Sequence, residues 1–599
     1  MKKKSVIWLP FTIAIAIVLG IVIGYRYPRH TSVKQPHAGN TGNKISNLLG
    51  IIESQYVDTV NIGNLVEDVM PQIVGELDPH SAYIPAKDLQ AVNEELEGSF
   101  SGIGIQFSIL NDTIMVVAVV PGGPSEKIGM MPGDRIVEVD DTAFVGKDVI
   151  SNDKVLKKLR GSKGSKVKLG VLRATSPEML TYEVTRNDIP VNSVDVAFMV
   201  NAETGYIKIN KFGRTTYTEF MNSLAQLKNK NAKKYIIDLR SNSGGILDIA
   251  INMINEFLPK GQLIVYTEGK AFPRSEAISN GSGAFKDAQI VVLIDEWSAS
   301  ASEIFAGAIQ DNDRGIIIGR RSFGKGLVQN QLPFSDGSAI RLTIARYYTP
   351  SGRSIQKEYE MGHGEDYEKD ILNRFIHGEF DNPDSIKQND KLVYKTRLGR
   401  TVYGGGGIMP DIFVPRDTTG ITPYLNEVVN KGLLYQYAFQ YSDEKRNILS
   451  EYKDYTSLQK YLNRQPLLQE FITFASSHGV KRNNKEIRES SQLLTNYIES
   501  YIARNIIGDN AFYPIFLQED KTFLKALDIL NANEGFPQAP EKQIQNDGKK
   551  TFASTNQRCG VSAFSPRKSR DLRYYRKANR IVAAFCRSPY NTALLLPSR

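Results

Sequence analysis

Two short segments carry residue types able to open an acyl bond. The run Ser298-Ala299-Ser300-Ala301-Ser302-Glu303 follows the β-branched stretch Val291–Ile294 directly and leads into a helical pattern ending near Asp311. Small residues crowded at a strand-to-helix turn let a substrate backbone approach closely. Ser300 then stands at a helix N-terminus, where unpaired N–H groups and the helix dipole favour negative charge. That suits a serine attacking a carbonyl, with the Ala301 N–H available to the developing oxyanion. The same spacing, Ser300-x-x-Glu303, is also a capping box, in which the serine only caps.

Twenty-five residues after Ser300 comes Lys325, within Arg320-Arg321-Ser322-Phe323-Gly324-Lys325-Gly326-Leu327-Val328-Gln329. Lysine is a general base only when neutral, so its pKa must fall by about three units, roughly 4 kcal/mol, which burial can supply. If a strand continues from Lys325, then Lys325, Leu327 and Gln329 share a face. The Gln329 amide would then hold the amine in line. The rival reading of Lys325 is a solvated loop lysine. A third segment, Asp238-Leu239-Arg240-Ser241-Asn242-Ser243-Gly244-Gly245, also follows a buried strand. It reads either as an ordinary turn or as the source of a second oxyanion N–H.

Missing motifs narrow the chemistry. There is no G-x-S-x-G, no H-E-x-x-H and no G-x-x-x-x-G-K-[ST], and the six histidines fall in no interpretable motif. His80, after Asp78-Pro79, reads as a turn or cap residue. Two cysteines in 599 residues exclude a disulfide scaffold and any Cys-based metal site.

These three segments together resemble the carboxy-terminal processing peptidases, or tail-specific proteases, serine peptidases with a Ser–Lys dyad. The resemblance rests on S-A-S-A-S-E-I, F-G-K-G-x-V-Q at the family's separation, and D-L-R-x-N-x-G-G upstream. Leu77-Asp-Pro-His-Ser-Ala-Tyr83, Gly205-Tyr-Ile-Lys-Ile209, Tyr348-Thr-Pro-Ser-Gly352 and Gly407-Ile-Met-Pro-Asp411 extend it over roughly residues 45–420. It implies Ser300 as nucleophile, Lys325 as base and Gln329 as orienting amide. The oxyanion donors would be the N–H groups of Ala301 and of Gly244 or Gly245. Ser243 stands where the family often has proline, and Ser322 replaces a frequent threonine.

The resemblance also reads residues 96–190 as a PDZ domain. Ser101-Gly102-Ile103-Gly104-Ile105-Gln106 looks like its carboxylate-binding loop, so Gly102, Ile103, Gly104 and Ile105 are the expected substrate-binding residues. There a peptide's C-terminus is cradled by N–H groups and its chain adds as a strand. Pro121-Gly-Gly-Pro124 and Pro132–Val139 look like the domain's later turn and strand. No cofactor, metal or nucleotide is implied.

The elements that must position these residues follow from periodicity. Lys44–Leu77 carries apolar residues at helical spacing. Ile103–Phe107, Ile114–Val120 and Lys166–Leu172 read as strands of a β-rich module. From residue 205, short β-branched strands (Tyr206–Ile209, Tyr235–Leu239, Gln289–Ile294, Gly315–Ile318) alternate with helices (Phe220–Leu227, Glu303–Gln310), as in a layered α/β core. Residues 425–535 read as helical. The expected fold is multidomain α+β with an α/β core. It comprises a signal-anchor helix (1–26), a linker (27–43), a helical N-terminal region (44–95) and the PDZ domain (96–190). A Ser–Lys peptidase core (191–420), a helical C-terminal domain (421–545) and a basic tail (546–599) complete it.

Charge and hydropathy set the compartment. The net charge of +9 is misleading, since residues 548–599 hold twelve Lys/Arg against Asp571 alone, and the remaining chain is slightly acidic. The body is therefore not a nucleic-acid binder. The tail reads as a disordered extension, as a polybasic segment touching anionic lipid or nucleic acid, or as read-through foreign to this fold. Lys2–Lys4 precede an apolar run from Val6 to Gly24, which at ~1.5 Å per residue nearly spans a ~30 Å hydrocarbon core. The basic flank keeps that end cytoplasmic and exports the rest; a cleavable signal peptide is the rival. The expectation is an exported endopeptidase on the periplasmic side of the inner membrane, taking protein or peptide substrates with accessible C-termini. The helical regions would serve self-association or an adaptor. The alternative is a non-catalytic PDZ scaffold.

Overall fold

A computed structural model describes residues 41–538 apart from 111, 147–148 and 174–175. The expected anchor (1–26), most of the linker (27–43) and the basic tail (546–599) lie outside the described residues. Among the described residues, no helix is long and apolar enough to cross a membrane. The chain divides into two compact units, residues 1–73 and 74–599. The first holds helix α1 (Thr41–Gln55) and most of α2 (Ile62–Gly75), with Ile45, Leu48 and Ile51 exposed along α1.

The second unit opens with strand β1 (Ala82–Ile84) and helix α3 (Ala86–Glu97). The strand interrupts a stretch that reads as helical. Three residues have no local signal of their own, and here Tyr83 and Ile84 are held buried by antiparallel pairing with a distant strand.

The β-rich module follows: β2 (Ser99–Gly102), β3 (Ile105–Leu110), β4 (Thr113–Val119), β5 (Arg135–Val139), β6 (Thr142–Ala143), helix α4 (Asn152–Leu159), β7 (Lys166–Leu172), β8 (Leu180–Thr185) and β9 (Asn187–Pro190). Alternation sets its core. Along β7, Val167, Leu169 and Val171 point inward beside Ile114, Val116, Ile136 and Val184, while Lys166 and Lys168 face water. The sheet order is β3-β4-β5-β7-β8, so β3 is an edge strand bonded only to β4. A separate antiparallel ribbon pairs β2 with β9.

The core then runs β10 (Val194–Met199), β11 (Thr204–Ile209), helix α5 (Thr216–Asn229), β12 (Lys234–Asp238), helix α6 (Leu247–Asn255), β13 (Leu263–Glu268), β14 (Ser275–Ile278), β15 (Gln289–Ile294), helix α7 (Ala301–Asp311), β16 (Ile316–Gly319), β17 (Leu327–Pro333), β18 (Ala339–Tyr348), helix α8 (Gly364–Ile376), the hairpin β19 (Val393–Lys395) and β20 (Thr401–Tyr403), and β21 (Ile412–Phe413). The main sheet has the order β10-β11-β12-β15-β16-β21, parallel from β11 onward. Its strands are continuous apolar runs because both faces are covered. Tyr235, Ile237, Ile290, Val292, Ile294 and Ile317 meet α5–α7 on one face. Ile236, Val291, Leu293, Ile316 and Ile318 meet the C-terminal helices, Pro423–Asn430 through Lys521–Ala532, on the other. The C-terminal helices are thus the second layer of the core. Their apolar faces are used to cover the sheet.

A second sheet, β1-β18-β13-β14 with β17 also on β18, carries the lysine segment.

Candidate active site

Ser300 is the last residue before α7, held at φ 55° and ψ −114°. A non-glycine residue at positive φ outside the left-handed helical basin costs on the order of 1–3 kcal/mol and persists only where its surroundings enforce it. Those surroundings are visible. The Ala299 N–H and the Ser302 hydroxyl both donate to the Asn242 carbonyl, at 3.0 and 2.9 Å, and the Ser298 hydroxyl donates to the Leu239 carbonyl. The serine turn is stitched to the glycine turn on both sides of Ser300.

Glu303 joins the serine to the lysine. It is fully buried, and its Oε2 accepts the N–H of Ser300 and the N–H of Lys325, each at 2.9 Å. The two backbone nitrogens are therefore separated by no more than twice that distance. Oε1 accepts the Ser322 hydroxyl at 2.5 Å and the Gly324 N–H at 2.7 Å. Burial pushes the Glu303 carboxyl up to about 7 against the pull of these four donors. Tyr347 makes a second clasp, its buried hydroxyl donating between the carbonyls of Ser300 and Lys325.

Lys325 lies just before β17, outside the regular strand, so face-sharing along a strand is not what places it. Burial lowers its pKa first, with the Arg341 charge adding, while Glu303 and Asp78 oppose. Gln329 pairs across the ladder with Thr343, beside a bulge in β18. Its Nε2 donates to Thr343 Oγ1 at 3.3 Å, and Thr343 Oγ1 donates to Asp78 Oδ1 at 3.0 Å. That chain fixes the amide by its nitrogen, so the carbonyl oxygen is the end that remains to accept from an amine.

The glycine pair divides its labour. A Cβ on Gly244 would stand 2.8 Å from Ser300 Cβ and 2.9 Å from the Ala301 nitrogen, so the turn lies directly against the serine. The Gly244 N–H, however, is already donated to Asn242 Oδ1 at 2.9 Å. The bridge to Phe212 is made by the Gly244 carbonyl and the Ile246 N–H, which turns the Gly245 N–H to the other side of the chain. Ala301, the first residue of α7, has the unpaired N–H of any helix start. Of the expected donors, Ala301 and Gly245 are those whose N–H groups are not spent on a partner among the described residues.

A buried ionic network stands behind the turn. Asp238, fully buried, binds Arg240, Lys208 and the Tyr206 hydroxyl, and these partners hold its carboxyl well below the usual range despite burial. Arg240 reaches on to Asp520, between two C-terminal helices, at 2.7 Å. On the lysine side, Arg374 from α8 donates to the carbonyls of Arg321 and Ser322.

In the PDZ loop, Gly102 is paired with Asn187 within the β2–β9 ribbon. Buried Ile103 accepts the Ser125 N–H and hydroxyl at its carbonyl, and the Gly104 carbonyl accepts the Val120 N–H. With those carbonyls turned inward, the N–H groups of Gly104 and Ile105 point outward along the open edge of β3. Gly104 has φ 79°, and a Cβ there would press Ile189 and Pro124.

Several residues here escaped the sequence reading. Glu303 read only as a cap, although an acid inside Ala-Ser-Glu-Ile-Phe-Ala has no polar face to occupy and so signals a buried acceptor. His80 makes the expected turn, its N–H bonded to Asp78, but its ring also bonds the Tyr367 hydroxyl at 2.8 Å. Burial and the Lys325 charge hold that histidine down at about 4. Tyr347, Thr343 and Asp520 carried no local signal.

Residues 203–368 match the model of Peptidase family S41, and residues 101–185 match the PDZ domain. Residues 424–508 match a family of unknown function. A "Probable CtpA-like serine protease" of Staphylococcus aureus is 36% identical over 318 residues, 52% of this chain and 62% of the relative. The chain thus spans under two thirds of the staphylococcal relatives it matches. The "Carboxy-terminal-processing protease" of Bartonella bacilliformis is 35% identical over 310 residues, covering 51% of this chain and 70% of that protein. A solved structure of a photosystem II D1 C-terminal processing protease is 27% identical, covers 52% of this chain and 89% of its own, and has a TM-score of 0.30. By the family match over residues 203–368 and the Bartonella relative, 35% identical and covered to 70%, the chain belongs to peptidase family S41.

Proposed function

We propose that this protein is an exported serine endopeptidase that takes the C-terminus of a protein substrate on its PDZ domain and cleaves the chain at Ser300. One observation carries the reading: the backbone of Ser300 and of Lys325 converge on a single buried oxygen of Glu303. A lysine depressed by burial and a serine at a helix start, held that closely, are the parts of a base and its nucleophile.

Neutral Lys325 takes the Ser300 proton as the hydroxyl attacks the scissile carbonyl. The oxyanion is met by the N–H groups of Ala301 and Gly245. The ammonium of Lys325 then protonates the leaving amine, leaving an acyl-serine. Water, deprotonated by the same lysine, hydrolyses that ester. Gln329 orients the amine through its carbonyl oxygen. Upstream, the open edge of β3 supports addition of a substrate C-terminus as a further strand, with its carboxylate at the Gly104 and Ile105 N–H groups. Lys2–Lys4 and the apolar run Val6–Gly24 support a single membrane anchor with the body outside the cytoplasm.

The test uses the full chain in detergent, beside Ser300→Ala and Lys325→Ala. Each is incubated with an unstructured protein ending in apolar residues, and products are followed by mass spectrometry. Cleavage by the parent alone is expected. Unchanged turnover in Ser300→Ala would sink the enzyme reading, and binding without cleavage by all three would favour a scaffold.

A further inference from the structure

Arg341 stands on β18 two residues before Thr343, and so projects from the same face of the strand. Across the ladder Thr343 faces Gln329 and Arg341 faces Gln331, while on its other side Arg341 is paired with Ala82 of β1. Ala82 is exposed and Arg341, Gln331, Thr343 and Gln329 are half-buried, so this face opens to solvent beside the catalytic lysine. Neighbouring polar groups are already committed. Gln331 donates to Asn93, Gln329 to Thr343, and Thr343 to Asp78. The Arg341 guanidinium makes no ion pair or hydrogen bond among the described residues. By contrast, other half-buried and buried arginines of the peptidase core are paired: Arg320 with Glu296, Arg321 with Glu379, Arg353 with Asp311 and Arg374 with Glu379.

Resting on the peptidase reading above, we propose that Arg341 is an anion subsite of the active-site cleft, which selects substrates bearing a carboxylate near the scissile bond. The ladder places it one same-face step, about 7 Å, beyond the Gln329–Thr343 pair. An extended substrate advances about 3.4 Å per residue, so the carboxylate it meets belongs to a residue about two positions from the cleaved bond. A guanidinium offers a planar fork of donors that a carboxylate fits in bidentate fashion. Leaving Arg341 uncompensated beside Lys325 serves both roles. Its charge disfavours the protonated lysine in the free enzyme, and it keeps a site open for an anion that only substrate brings. Two sources share this chemistry: an aspartate or glutamate side chain within the substrate, and the free terminal carboxylate of a chain cut close to its end.

The experiment measures kcat/KM on matched peptides for the full chain and for Arg341→Gln. One peptide is neutral, one series carries glutamate singly at each of three positions on either side of the bond, and one pair ends two residues past the bond as acid or amide. Ratios of charged to neutral peptide cancel any change in Lys325 itself, since every peptide uses the same base. The parent should favour at least one carboxylate peptide by ten-fold or more, and Arg341→Gln should bring that ratio to near one. Arg341→Lys should retain part of it. Preference for internal glutamate identifies a side-chain subsite; preference for the short acid over its amide identifies a terminal one. A parent ratio near one at every position overturns the proposal, whether or not the variant folds, as does an unchanged ratio in Arg341→Gln. Cleavage of the neutral peptide keeps the peptidase reading separate. If the parent cleaves none of the peptides, that reading falls and the subsite falls with it.

Discussion

Replacing Glu303 by glutamine tests whether its carboxylate is what holds serine and lysine together. Glutamine keeps the shape and exchanges one oxygen for an NH2 donor. If that donor faces Ser300 and Lys325, two buried N–H groups lose their acceptor, at about 2–6 kcal/mol in total. If it faces Ser322 and Gly324, the serine hydroxyl can turn to accept, but the Gly324 N–H cannot. The second placement costs less, about 1–3 kcal/mol, and is the one expected. Urea unfolding should show that loss. Activity should fall further than stability, because a displacement of about 1 Å in a reacting group costs on the order of a hundred-fold. The sign of the pH dependence gives a second check. In the parent, Glu303 is ionised above about 7 and protonated below it, so the protonated parent already resembles the variant. The ratio of parent to Glu303→Gln in kcat/KM should therefore shrink as pH falls through neutrality. Since the Glu303 charge also raises the Lys325 pKa, the variant's remaining activity should begin at lower pH. A variant within two-fold of the parent at pH 8, with unchanged unfolding, would refute the clamp.

Further outcomes follow from the same geometry. Because the base is the neutral amine, kcat/KM should rise with pH along a limb whose inflection lies below the ordinary lysine value of 10.5; Lys325→Arg, unable to lose its proton, should be inactive across the range while remaining folded. His80, neutral above about 4, should show no titration of its own ring signals by NMR between pH 6 and 7. Gly244→Ala forces a Cβ at φ 103° to within 2.7 Å of the Ala299 carbonyl oxygen and 2.8 Å of Ser300 Cβ, so kcat should drop by ten-fold or more with KM little changed. Asp520→Ala removes one of two carboxylates on buried Arg240, which keeps Asp238, and also the cap on the Phe523 N–H; a loss of about 1–3 kcal/mol is expected, and thermal unfolding should show it.

What the linear chain determined is what adjacent residues can encode. Apolar runs in β11, β12, β15 and β16 announce strands covered on both faces. Small residues at 298–302 announce a strand-to-helix turn, and the alternation of β7 announces a half-exposed sheet. The motifs that point to Ser300, Lys325 and Gln329 are legible through the family resemblance, because each is a short run of adjacent residues. Tertiary structure alone decided the rest, since it joins residues hundreds of positions apart. Asp78 reaches Gln329 only through Thr343, because β1 adds to the edge of β18. The Gly244 N–H is withdrawn from the site by a side chain two residues away, a choice of rotamer that no pattern records. The C-terminal helices read as a domain for self-association or an adaptor because amphipathic periodicity reveals an apolar face and never its partner. That partner is the far side of the catalytic sheet, and Asp520 on Arg240 carries the contact to the turn beside Ser300.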